Sequence, residues 1–280
     1  AGLLPPENVA DRSKRFRGVV GELLTKAGRD RDAAMKVFDA ALGGLGVLSE
    51  TRGEGDDERT LSEVLLFAEQ GQLKRFAEVC NQNWEALTAA YDKVWAKGKA
   101  KPAKEAAKKA VPAAVVTALQ RALDGTRSAD LALFGRMLAD VPDLNIDAAS
   151  QVAHAISTHQ VSAEFDYYTA VDDLKPEDTA GADMIGTVEF NSACYYRYAN
   201  IDLGQLTKNL GGDAELASAT VRAFLMASRD AIPTGKQNSF AARNAPSLVF
   251  TVVRPSGAWS LANAFVKPVR PDREHGLIDA

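Results

Sequence analysis

The sequence predicts an α+β protein, and three observations carry that prediction. Helical periodicity dominates from Ser13 to Ala139, a period of two sets in at Gln151, and the same period returns at Thr187 after a polar, acidic excursion. From Gln151 to Glu164, Val152, His154, Ile156 and Thr158 alternate with Ala153, Ala155, Ser157 and His159, as on a strand. From Thr187 to Asn200 the alternation is richer in β-branched and aromatic residues, which suit a pleated surface. The change of period divides the chain into a helical region, 1–147, and a mixed region, 148–280.

The elements follow in order. Ala1 to Val9 is a Pro-containing lead without an initiator Met, so the chain is expected to begin part-way into its gene product. Ser13–Ala27 and Ala33–Leu42 read as helices, the second closed by Gly43, Gly44 and Gly46. Thr60 with Glu63 reads as a capping box opening a helix whose stripe is Leu61, Val64, Leu65 and Ala68. A further helix spans about Leu73 to Ala96. Ala103–Leu123 is Ala-rich and interrupted at Pro112. Ser128–Ala139 is helical, with Leu131, Phe134 and Leu138 facing inward. Past the second strand, Asp202 caps a short helix closed by Gly211 and Gly212, and Asp213 caps a longer one ended by Pro233. Thr234–Phe240 is a polar loop. Leu248–Val253 is an apolar run suited to a central strand, and Trp259–Val266 a shorter extended piece.

At 280 residues, 46% hydrophobic and 25% charged, the composition is that of a globular protein with a sizeable core. No apolar run is long enough to span a membrane, so no membrane partner is expected. Cys80 and Cys194 are far apart and in no metal-ligand spacing, which suggests a reducing, cytoplasmic setting. The net charge of −4 disfavours bulk attraction to nucleic acid. Its distribution does not: Arg12–Lys36 is predominantly basic, Lys97–Lys109 holds six Lys against Glu105, and Thr158–Phe190 holds eight acidic residues against Lys175.

No phosphate-binding Gly loop, zinc-protease helix, Cys pair or nucleophile elbow is present. His154 and His159 point to opposite faces of one strand and so cannot share a metal; a hydrogen-bonded structural role is the better reading for each. Asp166, Asp172 and Asp173 form the one carboxylate grouping that suggests a metal-dependent ribonuclease, through Asp166 and Asp172, as the alternative to a binding protein. Met137, Tyr195, Tyr196 and Tyr198 are candidates to stack on bases, against core packing. Lys104, Lys108 and Lys109 lie together on an Ala-rich helix, as a solvated face or as contacts to a nucleic-acid backbone.

Phe134-Gly135-Arg136-Met137, Gln151 to His159, Glu164-Phe-Asp-Tyr-Tyr-Thr-Ala-Val-Asp-Asp-Leu174, Gly186-Thr187, Glu189-Phe190 and Tyr196 to Asn200 closely resemble the backbone subunit, CasC type, of the type I-E CRISPR Cascade complex. Asn209 to Gly212, Gly235-Lys-Gln237 and Ala262 to Phe265 continue the likeness in order; the helical first half fits it in length and composition only. The resemblance implies an RRM-like palm with a helical fingers insertion and a β-hairpin thumb over 166–187, the first palm strand being absent. It implies a non-catalytic subunit that forms a filament with further copies along a CRISPR RNA. That filament presents the guide in segments to target DNA, beside other Cascade subunits and a recruited helicase-nuclease. It places Tyr168 and Thr169 at the thumb base around a displaced nucleotide, Met137 against bases, and Lys104, Lys108 and Lys109 toward target DNA. Lys236, Gln237 and Asn238, in a Gly-anchored polar loop, join the RNA-contacting candidates. No cofactor or metal is implied. The acidic thumb and basic fingers suggest docking between neighbouring copies.

Overall fold

The computed structural model describes residues 2–52, 59–95, 102–139, 141–170 and 184–270. It is α+β, with strands that pair two by two. The chain forms two compact units, 1–151 with 201–234 and 152–200 with 235–280.

The first unit opens with β1 (Asp11–Ser13), α1 (Phe16–Lys26) and α2 (Arg31–Leu45), continues through β2 (Ser49–Arg52), β3 (Arg59–Ser62) and β4 (Leu66–Ala68), and then packs α3 (Gln70–Gln82), α4 (Trp84–Val94), α5 (Lys104–Ala110), α6 (Ala113–Ala122) and α7 (Ala129–Phe134). Its core runs from Phe16, Val20 and Leu24 on α1 through Val37, Phe38 and Leu42 on α2 to Phe76 on α3, where the Phe38 and Phe76 rings lie 5.8 Å apart. Each such side chain contributes about 1.5–3 kcal/mol by leaving water.

Local sequence explains the helix ends. Asp30 accepts a hydrogen bond from the Ala33 N–H at the start of α2, and Gly46 closes it at a φ of 91°. Gly43 and Gly44, expected to stop this helix, lie inside it. A Cβ on Gly43 would sit 2.6 Å from the Trp95 ring, and one on Gly44 2.9 Å from Val111, so the pair serves close packing.

The helix expected from Thr60 to Ala68 is absent. Thr60, Leu61 and Ser62 pair with Ser49–Thr51 in the antiparallel ladder β2–β3, and Leu66–Ala68 pairs with β1. Glu63 accepts from the Leu48 N–H at 3.1 Å rather than completing a cap. The capping box belongs to Glu69 and Gln72, at the start of α3. The long helix expected from Leu73 is two, α3 and α4, divided at Asn83, whose side chain donates to the Val79 carbonyl.

Beyond α7 the chain contributes β5 (Ser150–Val152), β6 (Ile156–Ser157), β7 (Glu164–Ala170), β8 (Met184–Phe190), β9 (Tyr195–Tyr196) and β10 (Ala199–Ile201). The expected continuous strands are thus interrupted ones, with β6 against β9 and β7 against β8, both antiparallel. It returns to the first unit for α8 (Leu203–Asn209) and α9 (Ala214–Asp230), capped by Asp202 and Asp213 as the sequence indicates. Leu206 and Leu210 of α8 pack with Leu133 and Ala149 in a second small core.

In the second unit, α10 (Gln237–Phe240) is flanked by Lys236 and Ala241, both at positive φ, 60° and 49°. The run Leu248–Val253, expected as a central strand, joins no ladder, and Val253 is 85% exposed. An apolar composition favours a strand only where another strand meets its backbone donors and acceptors, and none of the described strands does.

Candidate nucleic-acid interface

The Phe134–Met137 segment shows how the first unit presents one apolar side chain. Gly135 ends α7 at φ 76° and ψ 174°, a conformation restricted to glycine, and a Cβ there would stand 2.7 Å from the Ile146 carbonyl oxygen. Arg136 is buried, yet its guanidinium meets three backbone carbonyls. Nε donates to Leu144 O at 2.8 Å, one terminal nitrogen to Phe67 O at 3.1 Å and the other to Leu123 O at 2.8 Å. Burial lowers the Arg136 pKa to about 10, with Asp124 opposing the shift, so the group stays cationic at neutral pH. Its charge ties α6, β4 and the Pro142–Asn145 segment together.

Arg136 and Ile146 also exchange both backbone hydrogen bonds, at 3.0 and 2.9 Å. Met137, next in the chain, is 82% exposed. Phe134, expected inward, is also exposed, its ring 6.3 Å from that of Phe224. Leu131 and Leu138 are buried, but the helix expected to run to Ala139 ends at Phe134, so Leu138 is buried from beyond the helix and not by its spacing. Arg136 is a support of the candidate site whose role sequence reading passes over: a charged residue in an otherwise apolar stretch was its only signal.

Lys104, Lys108 and Lys109 all lie on α5, but in different surroundings. Lys104 Nζ is 2.7 Å from Glu63 Oε1. Lys108 is half-buried and Lys109 exposed. The latter two border an open cleft of 650 Å³ with Pro112, Gln120 and Asp143. The basic stretch Arg12–Lys36 is partly engaged too. Arg17 forms a two-pronged pair with the buried Asp39, and Arg29 bonds Asn81 and lies 4.4 Å over the Trp84 ring. Arg15, Lys26 and Arg31 are exposed.

In the second unit, β7 and β8 pair in register from Glu164↔Phe190 to Ala170↔Met184. Alternation sends Tyr168 and Thr169 to opposite faces of this ladder. Tyr168 faces Gly186, and a Cβ on that glycine would fall 2.5 Å from the Tyr168 hydroxyl and ring, so the phenol lies across bare backbone. Phe190, on the Tyr168 face, meets Phe240 of α10 at 5.6 Å. The other face exposes Phe165, Tyr167 and Ile185. Lys236 and Asn238 are exposed, and Gln237 is half-buried.

The remaining candidates have structural partners. Tyr196 accepts from the Leu261 N–H at 2.8 Å and packs on Phe265, and Tyr195 donates to Asn191. The Tyr198 hydroxyl accepts from Asn200. His159 Nε2 accepts from the Cys194 N–H at 3.1 Å, which makes the opposite nitrogen the donor to Gln160 O. That is a satisfied structural histidine. Asp166 accepts from the Tyr167 N–H. Asp172 and Asp173 lie outside the described residues, and among those described no three His, Cys, Asp or Glu gather as metal ligands. No helix among them is long and apolar enough to cross a membrane.

Comparison with known proteins agrees with this architecture. Among curated proteins none matches the chain. Among solved structures, a chain of a "CRISPR RNA-guided surveillance complex, pre-nicking" aligns at TM-score 0.74 and 30% identity, over 96% of this chain and 70% of that one. A chain of another "CRISPR RNA-guided surveillance complex" has the same fold at TM-score 0.55 and 23% identity, over 94% of this chain and 64% of that one. The family model of CT1975-like proteins, a Cas family, matches residues 1–280, and the chain belongs to that family.

Proposed function

We propose that this chain is a non-catalytic backbone subunit of a CRISPR RNA-guided surveillance complex, of the CasC type in a type I-E system, that holds guide RNA by its backbone and leaves the pairing edges of the bases free. The observation that carries this reading is the likeness, at 30% identity over 96% of the chain, to a chain of such a complex. The exposed, rigidly mounted Met137 supports it. In RNA-guided recognition pairing supplies the sequence, and the protein needs only apolar surface for base faces and polar groups for phosphate.

In this reading the second unit belongs to an RRM-like palm, and β7–β8 is the thumb, with Tyr168 and Thr169 on either side of a displaced nucleotide. Met137 packs on bases, and Lys236, Gln237 and Asn238 bind the RNA backbone. Further copies of the chain form a filament, the acidic thumb of one meeting the exposed cations of the next. Lys108 and Lys109 reach target DNA, while Lys104 is held by Glu63. Other subunits complete the complex, and a recruited helicase-nuclease cuts the target. The setting is the cytoplasm.

Co-expression with a CRISPR array and its partner subunits tests this. The chain is expected to purify with a guide RNA of fixed length. Purification of the intact chain free of RNA, or with RNA of random length, would reject the reading.

A further inference from the structure

The ladder beside Met137 contains an exchange of hydrogen-bond partners. Arg136 pairs with Ile146 in antiparallel register, which sets Met137 opposite Asn145 and Leu138 opposite Leu144. In a regular ladder, residues two positions from a hydrogen-bonded pair bond again, so the Leu138 N–H would donate to the Leu144 carbonyl. Here the Arg136 guanidinium takes that carbonyl, at 2.8 Å. The Leu138 N–H donates instead to Asn145 Oδ1, at 2.6 Å. The Asn145 side chain thus stands in for a main-chain acceptor that the buried arginine has occupied. On one side of Met137 the Arg136 N–H is tied to Ile146; on the other the Leu138 N–H is tied to Asn145. The thioether between them is free of the protein and 82% exposed.

We infer that Asn145 is a positioning residue, whose side chain locks the Met137 backbone so that the methionine meets RNA bases as a preformed wedge. The inference rests on the RNA-holding reading and extends it to a residue that acts through Met137. A preformed wedge binds without first being ordered, which lowers the entropic cost of binding. Asn145 is itself exposed, so its replacement leaves the core intact.

The test compares the full chain with Met137→Ala, Asn145→Ala, the double variant and Asn145→Asp, measuring affinity for a labelled single-stranded RNA. Met137→Ala is expected to weaken binding about tenfold, the scale of one buried apolar side chain. Asn145→Ala is expected to weaken it about threefold or more, with faster amide exchange at Leu138. Because it acts through Met137, it adds nothing in the Met137→Ala background. Asn145→Asp, which keeps the acceptor oxygen but adds a charge that RNA repels, restores slow amide exchange at Leu138. Wild-type affinity in Asn145→Ala, or losses that multiply in the double variant, would overturn the positioning role. Wild-type affinity in Met137→Ala would instead remove the RNA reading at that residue, and the inference with it.

Discussion

The two units use their apolar residues in opposite ways. In the first, α1 to α6 close over a continuous core, and even its isolated cation, Arg136, is enclosed by carbonyls. In the second, Thr158 alone among the described residues is buried, while Phe250, Val253 and Trp259 stand 70% or more exposed. Its order comes from short ladders and ring contacts such as Tyr196 on Phe265 and Phe190 on Phe240. Contiguous exposed apolar surface of this kind marks interaction sites. The first unit is therefore a packed scaffold, and the second leaves apolar side chains exposed that, in the proposed reading, RNA and neighbouring copies would cover.

The contrast breaks most readily at Arg136. Arg136→Met leaves three carbonyls without a donor in the packed unit, and should cost about 3–5 kcal/mol of stability in urea titration. A loss under about 1 kcal/mol would show that the clasp is decorative. The second unit should respond in binding rather than in stability. Tyr168→Ala is expected to weaken single-stranded RNA binding by about 1–2 kcal/mol, near tenfold, by analogy with base stacking on aromatic rings.

Gly186→Ala sharpens the same point. Its methyl displaces the Tyr168 ring, the far end of a flexible side chain, so RNA affinity should fall nearly as far while the melting temperature holds. Smaller still is the effect at α5. Lys109→Ala should reduce the salt dependence of target-DNA binding by about one counterion, whereas Lys104→Ala, with its lysine already paired to Glu63, should leave that slope unchanged. Cysteine reactivity reports the difference without mutation. Burial raises the Cys80 pKa well above the usual thiol range, whereas Cys194 is half-buried. Native alkylation should modify Cys194 and spare Cys80 until the first unit unfolds.

Much of the scaffold was legible because its signals are local. Asp202 and Asp213 cap helices through their own side chains, and Gly46 permits a left-handed turn; the Asp30 cap, equally local, went unread. The Thr60–Ala68 segment misled because Thr-x-x-Glu and an apolar stripe suit a cap and helix as well as strands; pairing with Ser49–Arg52 and with β1 decided it, and pairing is non-local. Gly43 and Gly44 read as a stop because their reason, the approach of Trp95 and Val111, comes from distant sequence. At the candidate site, alternation was read only from Thr187, within β8; β7 fell in the polar excursion, so the hairpin came from the resemblance and the opposite aims of Tyr168 and Thr169 from the ladder itself. The presentation of Met137 was not, since its exposure depends on Arg136 reaching carbonyls at positions 67, 123 and 144.

Photocrosslinking of a thiouridine-substituted guide in the assembled complex, with the modified peptides mapped, asks directly whether these surfaces hold RNA. The account predicts adducts in the peptide carrying Met137 and in the strand from Glu164 to Ala170. Adducts absent from both, in a complex that retains its guide, would contradict it.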